Sequence, residues 1–571
     1  MSVEDISCNF LLPIEFCKNK KEVFENLYND LELLKSNNSS KNSFYSKLFS
    51  PITPHGKLLL QRWSKYYTSN VDFLKDSQKL YKNYINVNSN PKLCVKAYDL
   101  WKKTSEDENF KEKYHYIEWE KCLWLNKSSS FLLILSFYSI LSPVLNLIAP
   151  IIILIIPFLI IKIMKIPITV SSYVMVLKKQ LDKHSFGQLF TRFSKVSFSQ
   201  RIYLLMCFGM YVYNIYQNII SCYQFYTNTH FINNYFKTMK QYIKYTKNKL
   251  ENYIALIKNL KTHAKHKEYL LANLNEIYIL SDTLSHIPNA TINPLKLKSM
   301  GFTMKQFYLM NNSKKLQNIL KFSFGFNGYL DNLNGLKIKI NNKNIRPATF
   351  TKKSNIKLKN CYYPMIKGKI IKNTVDISNN IIITGPNAAG KTTLLKTIII
   401  NILITQQLGL GFYDKCKISP VDYLHCYLNI PDTSARDSLF QAEARRCNNI
   451  LTLINKYPNK KHFCIFDELY SGTNPYEAIA SAYSYLDFIS INKNVKFVLT
   501  THFIKLCKLF KKNSKINNYN METHLNNKDV ANYLYKLIPG ISKIKGGVTV
   551  LKNLGYPQKI INKTKEVLCK M

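Results

Sequence analysis

The sequence predicts a multidomain chain: an α-helical region interrupted by a membrane hairpin, then an α/β nucleotide-binding domain closed by a helical C-terminal segment. Three observations carry this reading. An apolar β-rich run ends on a complete GxxxxGK[ST] loop, Gly385 to Thr392; a second apolar strand about 75 residues downstream ends on paired carboxylates; and the 34 residues from Ser128 to Ile161 include no charged side chain.

From the N-terminus, the chain reads as helical, with polar runs such as KSNNSSKNS near residue 40 marking loops. The uncharged run follows. As one straight helix it would measure about 51 Å against a hydrocarbon core of about 30 Å. Pro143, Pro150 and Pro157 also interrupt it, so it is expected to turn at Pro143 to Asn146 as a hairpin of two short spans. A buried pair of core helices is the alternative. A second uncharged stretch, after Arg201, is long enough to cross but carries Asn214, Gln217 and Asn218. Were each run to cross once, the segment holding Lys165, Lys178, Lys179, Lys183, Arg192, Lys195 and Arg201 would lie outside, against the positive-inside tendency. A hairpin within 128–165, with the second run interfacial or core, keeps that segment and both termini in the cytosol.

Beyond it, Leu250, Tyr253, Ile254, Ile257 and Leu260 keep the i, i+3, i+4, i+7 spacing of an amphipathic helix with a Lys-rich, solvated face. From about residue 355 strands alternate with helices, as in an α/β sheet with its site at the strand ends.

The site residues follow from the motifs. In IIITGPNAAGKTT the backbone N–H groups of a Gly-containing loop can close around phosphates, Lys391 can reach the terminal phosphates, and the Thr392 hydroxyl can ligate Mg²⁺. The helix after it points its positive end at the anion. In HFCIFDELYSGTN, Asp467 is placed to hold Mg²⁺ through water and Glu468 to orient or deprotonate the attacking water. KFVLTTHF is a further strand, ending where His502 can sense the γ-phosphate.

At these residues the chain resembles the MutS mismatch-repair ATPases, within the wider ABC class. GPNAAGKTT is similar to the family's GPNxxGKS, DELYSGT to its DExGRGT and TTHF to its ATHY. SLFQAE, Ser438 to Glu443, resembles the family's STFxxE rather than the LSGGQ of transporters. TPHGKLLLQRW resembles the segment opening the family's core and lever region, IRPATF and CYYPMI its segments just before the nucleotide domain, and YKLIPGISKIKGGVTVLKNLGYP its C-terminal dimerisation segment. The resemblance implies ATP and Mg²⁺ as ligands and a homodimer acting on DNA. It implies phosphate contacts from Gly385, Pro386, Asn387, Ala388, Ala389, Gly390, Lys391, Thr392, Thr393 and Gln407, and metal contacts from Thr392 and Asp467. Lys391, Glu468 and His502 would be the catalytic set, and Ser438, Phe440 and Glu443 would serve the partner's site in trans. Tyr535 is either an adenine contact or a core tyrosine of a small helical unit.

This divides the chain into an N-terminal helical extension (1–49), the start of the core and lever (50–127), the membrane hairpin (128–165), a helical lever or clamp-like region (166–350), the ATPase domain (351–520) and a helical dimerisation segment (521–571). Two departures stand out: Ser471 replaces the Arg of DExGRGT, and Ile370 replaces the aromatic expected before Asn373. About fifty residues precede the lever-like segment and no FxE wedge is found, so direct reading of mispairs by unstacking is not expected.

Composition sets outer bounds. At 571 residues with a net charge of +45, the chain has an ample core and, on charge alone, suits a polyanionic partner such as DNA or an anionic membrane. Only seven of its 80 basic residues are Arg, the residue favoured for bidentate phosphate contacts, so compositional drift toward Lys is an equal account. Arg436, Arg445 and Arg446 lie beside the signature segment. Thirteen cysteines without a CxxC pair, and no secretory signal, fit a reduced intracellular setting with the ATPase domain cytosolic. Two function classes follow: an ATP-gated dimer on DNA, in mismatch repair or recombination, or a membrane-anchored ATPase acting on a protein or lipid partner.

Overall fold

The computed structural model describes residues 9–36, 42–85, 89–165, 169–183, 187–189, 193–195, 197–288, 299–353, 355–366, 368–428, 438–525, 531–542, 548, 551–552 and 554–570. It divides into two compact units: Lys92–Lys247 with Asn275–Leu320, and Ser2–Pro91 with Asn248–Leu274 and Lys321–Met571.

The first unit is helical. Its packed part is an aromatic core in which the rings of Phe110, Tyr114 and Tyr235 lie 4.9–5.3 Å from that of Phe307. Such offset and edge contacts add to the burial of large apolar rings. The buried Gln317 accepts from Trp101 Nε1 at 2.9 Å and donates to the Met310 carbonyl at 2.6 Å, so both ends of its amide are paired. The helix Met300–Asn312 packs on the start of the helix Ser129–Ile163. Gly301 makes that approach possible, since a Cβ there would fall 2.1 Å from the Ser129 carbonyl oxygen.

The expected hairpin is corrected here. Ser129–Ile163 is one continuous helix of 35 residues, with no turn at Pro143 to Asn146. The three prolines recur every seven residues. That spacing returns each to nearly the same side of the helix, with about 20° of drift per step, so their effects fall along one face instead of breaking the element. The second uncharged run is also helical, within Phe198–Ile257.

In the second unit, the TPHGK segment opens the helix Pro54–Trp63, with Thr53 as N-cap and Pro54 at its first position. Asp331 fixes this corner, accepting from Ile52 N, Thr53 N and the Thr53 hydroxyl at 2.7–3.0 Å. A Cβ on Gly56 would meet that same carboxylate oxygen at 2.5 Å, which accounts for the glycine. A ladder of stacked rings, Tyr45 on Phe49 on Trp63 on Tyr329, runs through the core beneath it, with centroids 4.8–6.0 Å apart.

The α/β part holds two sheets. In the larger, the strands run in the order Ala531–Pro539, Ile516–Leu525, Asn380–Thr384, Val495–Thr501, His462–Asp467, Tyr423–Tyr427. All pairings are parallel except the edge pair of the first two. Ile381, Ile382 and Ile383, like Phe463 to Phe466, are buried on both sides, as the near-continuous apolar runs require of a covered parallel sheet. The smaller sheet orders Asn373–Asp376, Ile356–Cys361, Lys415–Ile418, Arg346–Phe350 and Leu410–Gly411.

A second correction concerns the C-terminal end. Residues 521–525 and 531–539 are not helical: they belong to the antiparallel strands Ile516–Leu525 and Ala531–Pro539, and the first continues the parallel sheet beside Asn380–Thr384. The helix Gln558–Lys570 follows. Partial alternation in INNYNMETHL and ANYLYKLIP suits strands, and the sheet extends the nucleotide domain past residue 520. The N-terminal residues are likewise part of this unit: Lys20–Glu22 pairs with Tyr66–Thr68, and the helix Glu25–Asp30 packs on the strand Tyr423–Tyr427.

Candidate functional site

Three neighbouring parallel strands end together. Asn380–Thr384 leads into the loop Gly385 to Gly390 and the helix Lys391–Leu408; His462–Asp467 ends on the carboxylates; Val495–Thr501 ends just before His502. Because the strands are hydrogen-bonded neighbours, their C-terminal ends place these side chains at one crevice. Two loop residues adopt left-handed backbone, Ala388 at φ +64° and Gly390 at φ +89°. Such turns expose successive N–H groups to an anion.

Lys391 is nearly buried and lies under the loop, donating to the Gly385 carbonyl at 3.1 Å and the Pro386 carbonyl at 3.3 Å. Its Nζ is 3.0 Å from His502 Nε2 and 3.9 Å from Glu468 Oε1. Burial pushes the lysine pKa below its ordinary value, against the opposing pull of Glu468 and Asp467. His502 Nε2 lies 2.8 Å from Glu468 Oε1; that hydrogen bond, more than the charges around it, holds the Glu468 carboxyl below the usual glutamate value. The Thr392 hydroxyl donates to Asp467 Oδ2 at 2.6 Å, and the Thr500 hydroxyl donates to the other Asp467 oxygen. A hard-oxygen pair, Thr392 with Asp467, at the edge of a phosphate-sized loop fits Mg²⁺, which prefers carboxylate, hydroxyl and water ligands.

The crevice opens into a cavity of about 550 Å³, an ordinary size for a small-molecule site. One end is polar, with Asn387, Lys391, Thr392 and Glu468; the other is a slot between Tyr363, Ile366, Ile371, Met521 and Tyr535. Tyr535 is half-exposed at the mouth, not a core residue, and its strand is pinned by Asn373, which donates to the Tyr535 carbonyl at 2.9 Å and accepts from Leu537 N at 2.8 Å. Thr393 also lines the cavity, whereas Pro386 and Ala389 shape the loop from behind. Ile370 is exposed and does not line the slot; Ile371 and Ile366 do.

Gln407 is a correction. It sits near the far end of the 391–408 helix, buried, accepting from Tyr45 Oη at 2.7 Å and donating to the carbonyls of Trp63 and Tyr66 at 2.9 Å each. Four helical turns separate it from the loop, so it joins structural segments and touches no part of the cavity.

The signature segment is a helix start. Ser438 is exposed at the N-cap of Leu439–Lys456 in a reciprocal capping box with Gln441. Within its own chain it does not line the cavity. Phe440 packs on Tyr470 with ring centroids 5.7 Å apart. Glu443 is buried and works within its own chain: it accepts from Ser471 N at 3.1 Å, the Ser471 hydroxyl at 2.9 Å and Gly472 N at 3.2 Å, tying the helix to the loop after Glu468. Arg446 faces the other way, bonding the Cys426 carbonyl through Nε at 3.1 Å and Asp30 Oδ2 through a terminal nitrogen at 3.0 Å. Arg436 lies outside the described residues. Sequence reasoning missed Thr500, Tyr363, Ile371, Met521 and the Asp30 brace. CYYPMI and TTHF flag the neighbourhood of the first three, but nothing local in the sequence pairs Asp30 with Arg446.

Residues 381–571 match the family model "MutS domain V". Among curated proteins, a 246-residue stretch is 30% identical to the DNA mismatch repair protein MutS of Clostridium perfringens, covering 40% of this chain and 26% of that protein. The MutS of Clostridium tetani is 29% identical over 273 residues, 46% of this chain and 30% of its own length. The MutS of Caldicellulosiruptor saccharolyticus is 26% identical over 246 residues, 41% and 28% respectively. The aligned stretch thus spans between a quarter and a third of each relative. The likeness to MutS proteins thus lies in residues 381–571, which match MutS domain V.

Proposed function

We propose that this MutS-like chain binds and hydrolyses ATP at the 550 Å³ cavity and works as an ATP-gated homodimer on DNA, in a repair or recombination transaction. The observation that carries the reading is the convergence of Lys391, Thr392, Asp467, Glu468 and His502 on one end of that cavity. On binding, Lys391 exchanges the Gly385 and Pro386 carbonyls for phosphate oxygens, and the 385–390 loop with the helix start supplies N–H donors. Thr392 and Asp467 would hold Mg²⁺, which when bound neutralises charge on the phosphates. Glu468, its carboxylate kept ionised, orients a water whose oxygen forms a bond to the γ-phosphorus as the bond to the ADP oxygen breaks. The water's proton passes to Glu468 and then to solvent, and His502 holds Glu468 in place. The apolar slot beside Tyr535 takes the adenine.

Ser438, exposed at a helix N-terminus, is offered to the γ-phosphate of the second copy, so ATP closes the dimer and hydrolysis releases it. Glu468→Ala should retain ATP affinity and lose turnover; equal loss of both would make Glu468 a structural residue and remove this mechanism. For the DNA partner, affinity at fixed salt should differ between duplex and branched substrates. Binding that depends on salt alone would assign the charge to nonspecific attraction.

One observation favours a second reading. The apolar helices of the first unit are widely exposed, which suits a membrane-anchored ATPase acting on a protein or lipid partner, with DNA binding incidental.

A further inference from the structure

The first unit leaves one large apolar surface uncovered. The 129–163 helix buries Leu132, Ser136, Ser139, Ser142 and Ile161 along one face, whereas described side chains of the opposite face are exposed. Val144, Leu145, Leu147 and Ile148 are 39–54% exposed, and these four positions share an arc of about 160°, opposite the buried face. No charged side chain interrupts this face from Ser128 to Ile161, as hydrocarbon requires. Among the described residues, Ser129–Ile148 is long and apolar enough to cross a membrane, with mean hydropathy 2.1.

Its neighbour is the start of the 198–257 helix. Tyr211 Oη donates to the Asn146 carbonyl at 3.0 Å, and Cys222 Sγ lies 3.8 Å from the Ile140 carbonyl oxygen, so the two helices run antiparallel. Leu205, Met206, Phe208, Met210, Val212 and Ile219 are all exposed on it. No charge occurs from Ser128 to Ile161 or from Ile202 to Thr229. The uncharged lengths match: residues 138–161 and 202–226 each rise about 36–38 Å, enough to cross about 30 Å of hydrocarbon with a modest tilt.

Several polar side chains along these helices are paired locally. Asn218 Nδ2 donates to the Asn214 carbonyl at 2.7 Å, Gln217 Nε2 to Tyr213 Oη at 2.8 Å, and Ser139 to the Leu135 carbonyl at 3.0 Å. In hydrocarbon, where water offers no partner, this local pairing is what permits Asn and Gln. At the end where the 129–163 helix begins, Trp119 and Trp124 are two-thirds exposed, and Tyr223 and Tyr226 are exposed on the neighbouring helix. The opposite end is bounded by Lys162, Lys165 and Arg201. Amphipathic aromatics and basic side chains are the residues that settle at bilayer interfaces.

We propose that these two helices form a paired hairpin that spans a lipid bilayer over residues 138–161 and 202–226, which sets the basic 165–201 connection on the far side from both termini, the arrangement the positive-inside tendency weighs against and the packing of the two helices favours. This deepens the membrane reading above and is independent of the ATP cycle. The test is flotation of the purified full chain, reconstituted from detergent with phosphatidylcholine vesicles, beside the double substitution Leu145→Arg with Leu205→Arg. Both positions are exposed, so no packed contact is lost. Expected are wild-type flotation that survives high salt and alkaline washing, and a fall of roughly a hundredfold or more in vesicle partitioning for the double variant, with ATP turnover intact. Equal flotation of wild type and variant would place the anchor elsewhere and overturn the hairpin. A wild type that stays soluble without detergent as a discrete oligomer, or binds only anionic vesicles and is released by salt, would overturn both the hairpin and the membrane reading while leaving the ATPase untouched.

Discussion

Replacing Gln407 by Ala separates a structural glutamine from a nucleotide-contacting one. The side chain is almost fully buried and makes three hydrogen bonds, to Tyr45 Oη, the Trp63 carbonyl and the Tyr66 carbonyl, at 2.7–2.9 Å. Removing it strands one hydroxyl and two carbonyls away from water. Counting about 1 kcal/mol for each lost bond gives about 3 kcal/mol, and the unsatisfied carbonyls push this upward. The assay is hydrogen exchange of the full chain followed by mass spectrometry, which reads local opening without requiring a single two-state transition from a two-unit protein. Protection in peptides covering 60–68 and 400–408 should fall about a hundredfold, the exponential of about 3 kcal/mol, while ATP affinity at temperatures where the protein stays folded remains unchanged. If exchange were unaltered and ATP affinity fell, Gln407 would belong to the nucleotide site and the placement argued here would be wrong.

Three further outcomes are expected. Asp30→Asn breaks the partly buried pair with Arg446, leaving an unpartnered guanidinium charge; a loss of about 3 kcal/mol in thermal or denaturant stability is expected, rescued in part by Arg446→Met, and an unchanged melting profile would make the brace incidental. His266, buried among Phe10, Phe16 and Tyr269, has its pKa pushed down to about 3 by burial first and by His263 second. Its neutral form is favoured by folding, so its contribution is present above pH 6.5 and is lost as pH falls toward 3, about 2 kcal/mol by pH 5. His266→Phe should therefore flatten the decline in stability between pH 7 and pH 5, and an identical decline would refute the assignment. Tyr535→Ala should weaken ATP binding about fivefold through loss of ring contact with the base, with triphosphate alone unaffected; equal weakening of both would make Tyr535 a support for Gly390, whose backbone its ring nearly touches.

Legibility in the sequence followed the range of the interactions. The phosphate loop, the carboxylates after the second strand and the histidine after the third were readable because each motif is local and needs only strand–loop order. Their meeting was implied by parallel pairing of neighbouring strands. The strand residues 521–525 and 531–539 were misread because their alternation is broken by the Met521 to Thr523 irregularity and because family resemblance pointed to helix. The proline-bearing run was misread because each proline argues locally for a break, while the seven-residue recurrence of Pro143, Pro150 and Pro157 keeps their effect on one side. The family resemblance implied a phosphate contact for Gln407 and a trans role for Glu443; their partners, Tyr45 and Ser471, were fixed only by tertiary packing.

The composite site in the proposed dimer is tested most directly by mixing two inactive variants. Lys391→Ala lacks the phosphate lysine and Ser438→Ala lacks the group offered in trans. In a two-fold dimer, a mixed pair regains one intact site, the Lys391 of one subunit meeting the Ser438 of the other. With random association, half the dimers are mixed and each carries one working site of two, so an equimolar mixture should recover about a quarter of wild-type ATP turnover. A mixture that never exceeds the sum of its separate components, or a Ser438→Ala protein that is fully active alone, would contradict the trans site.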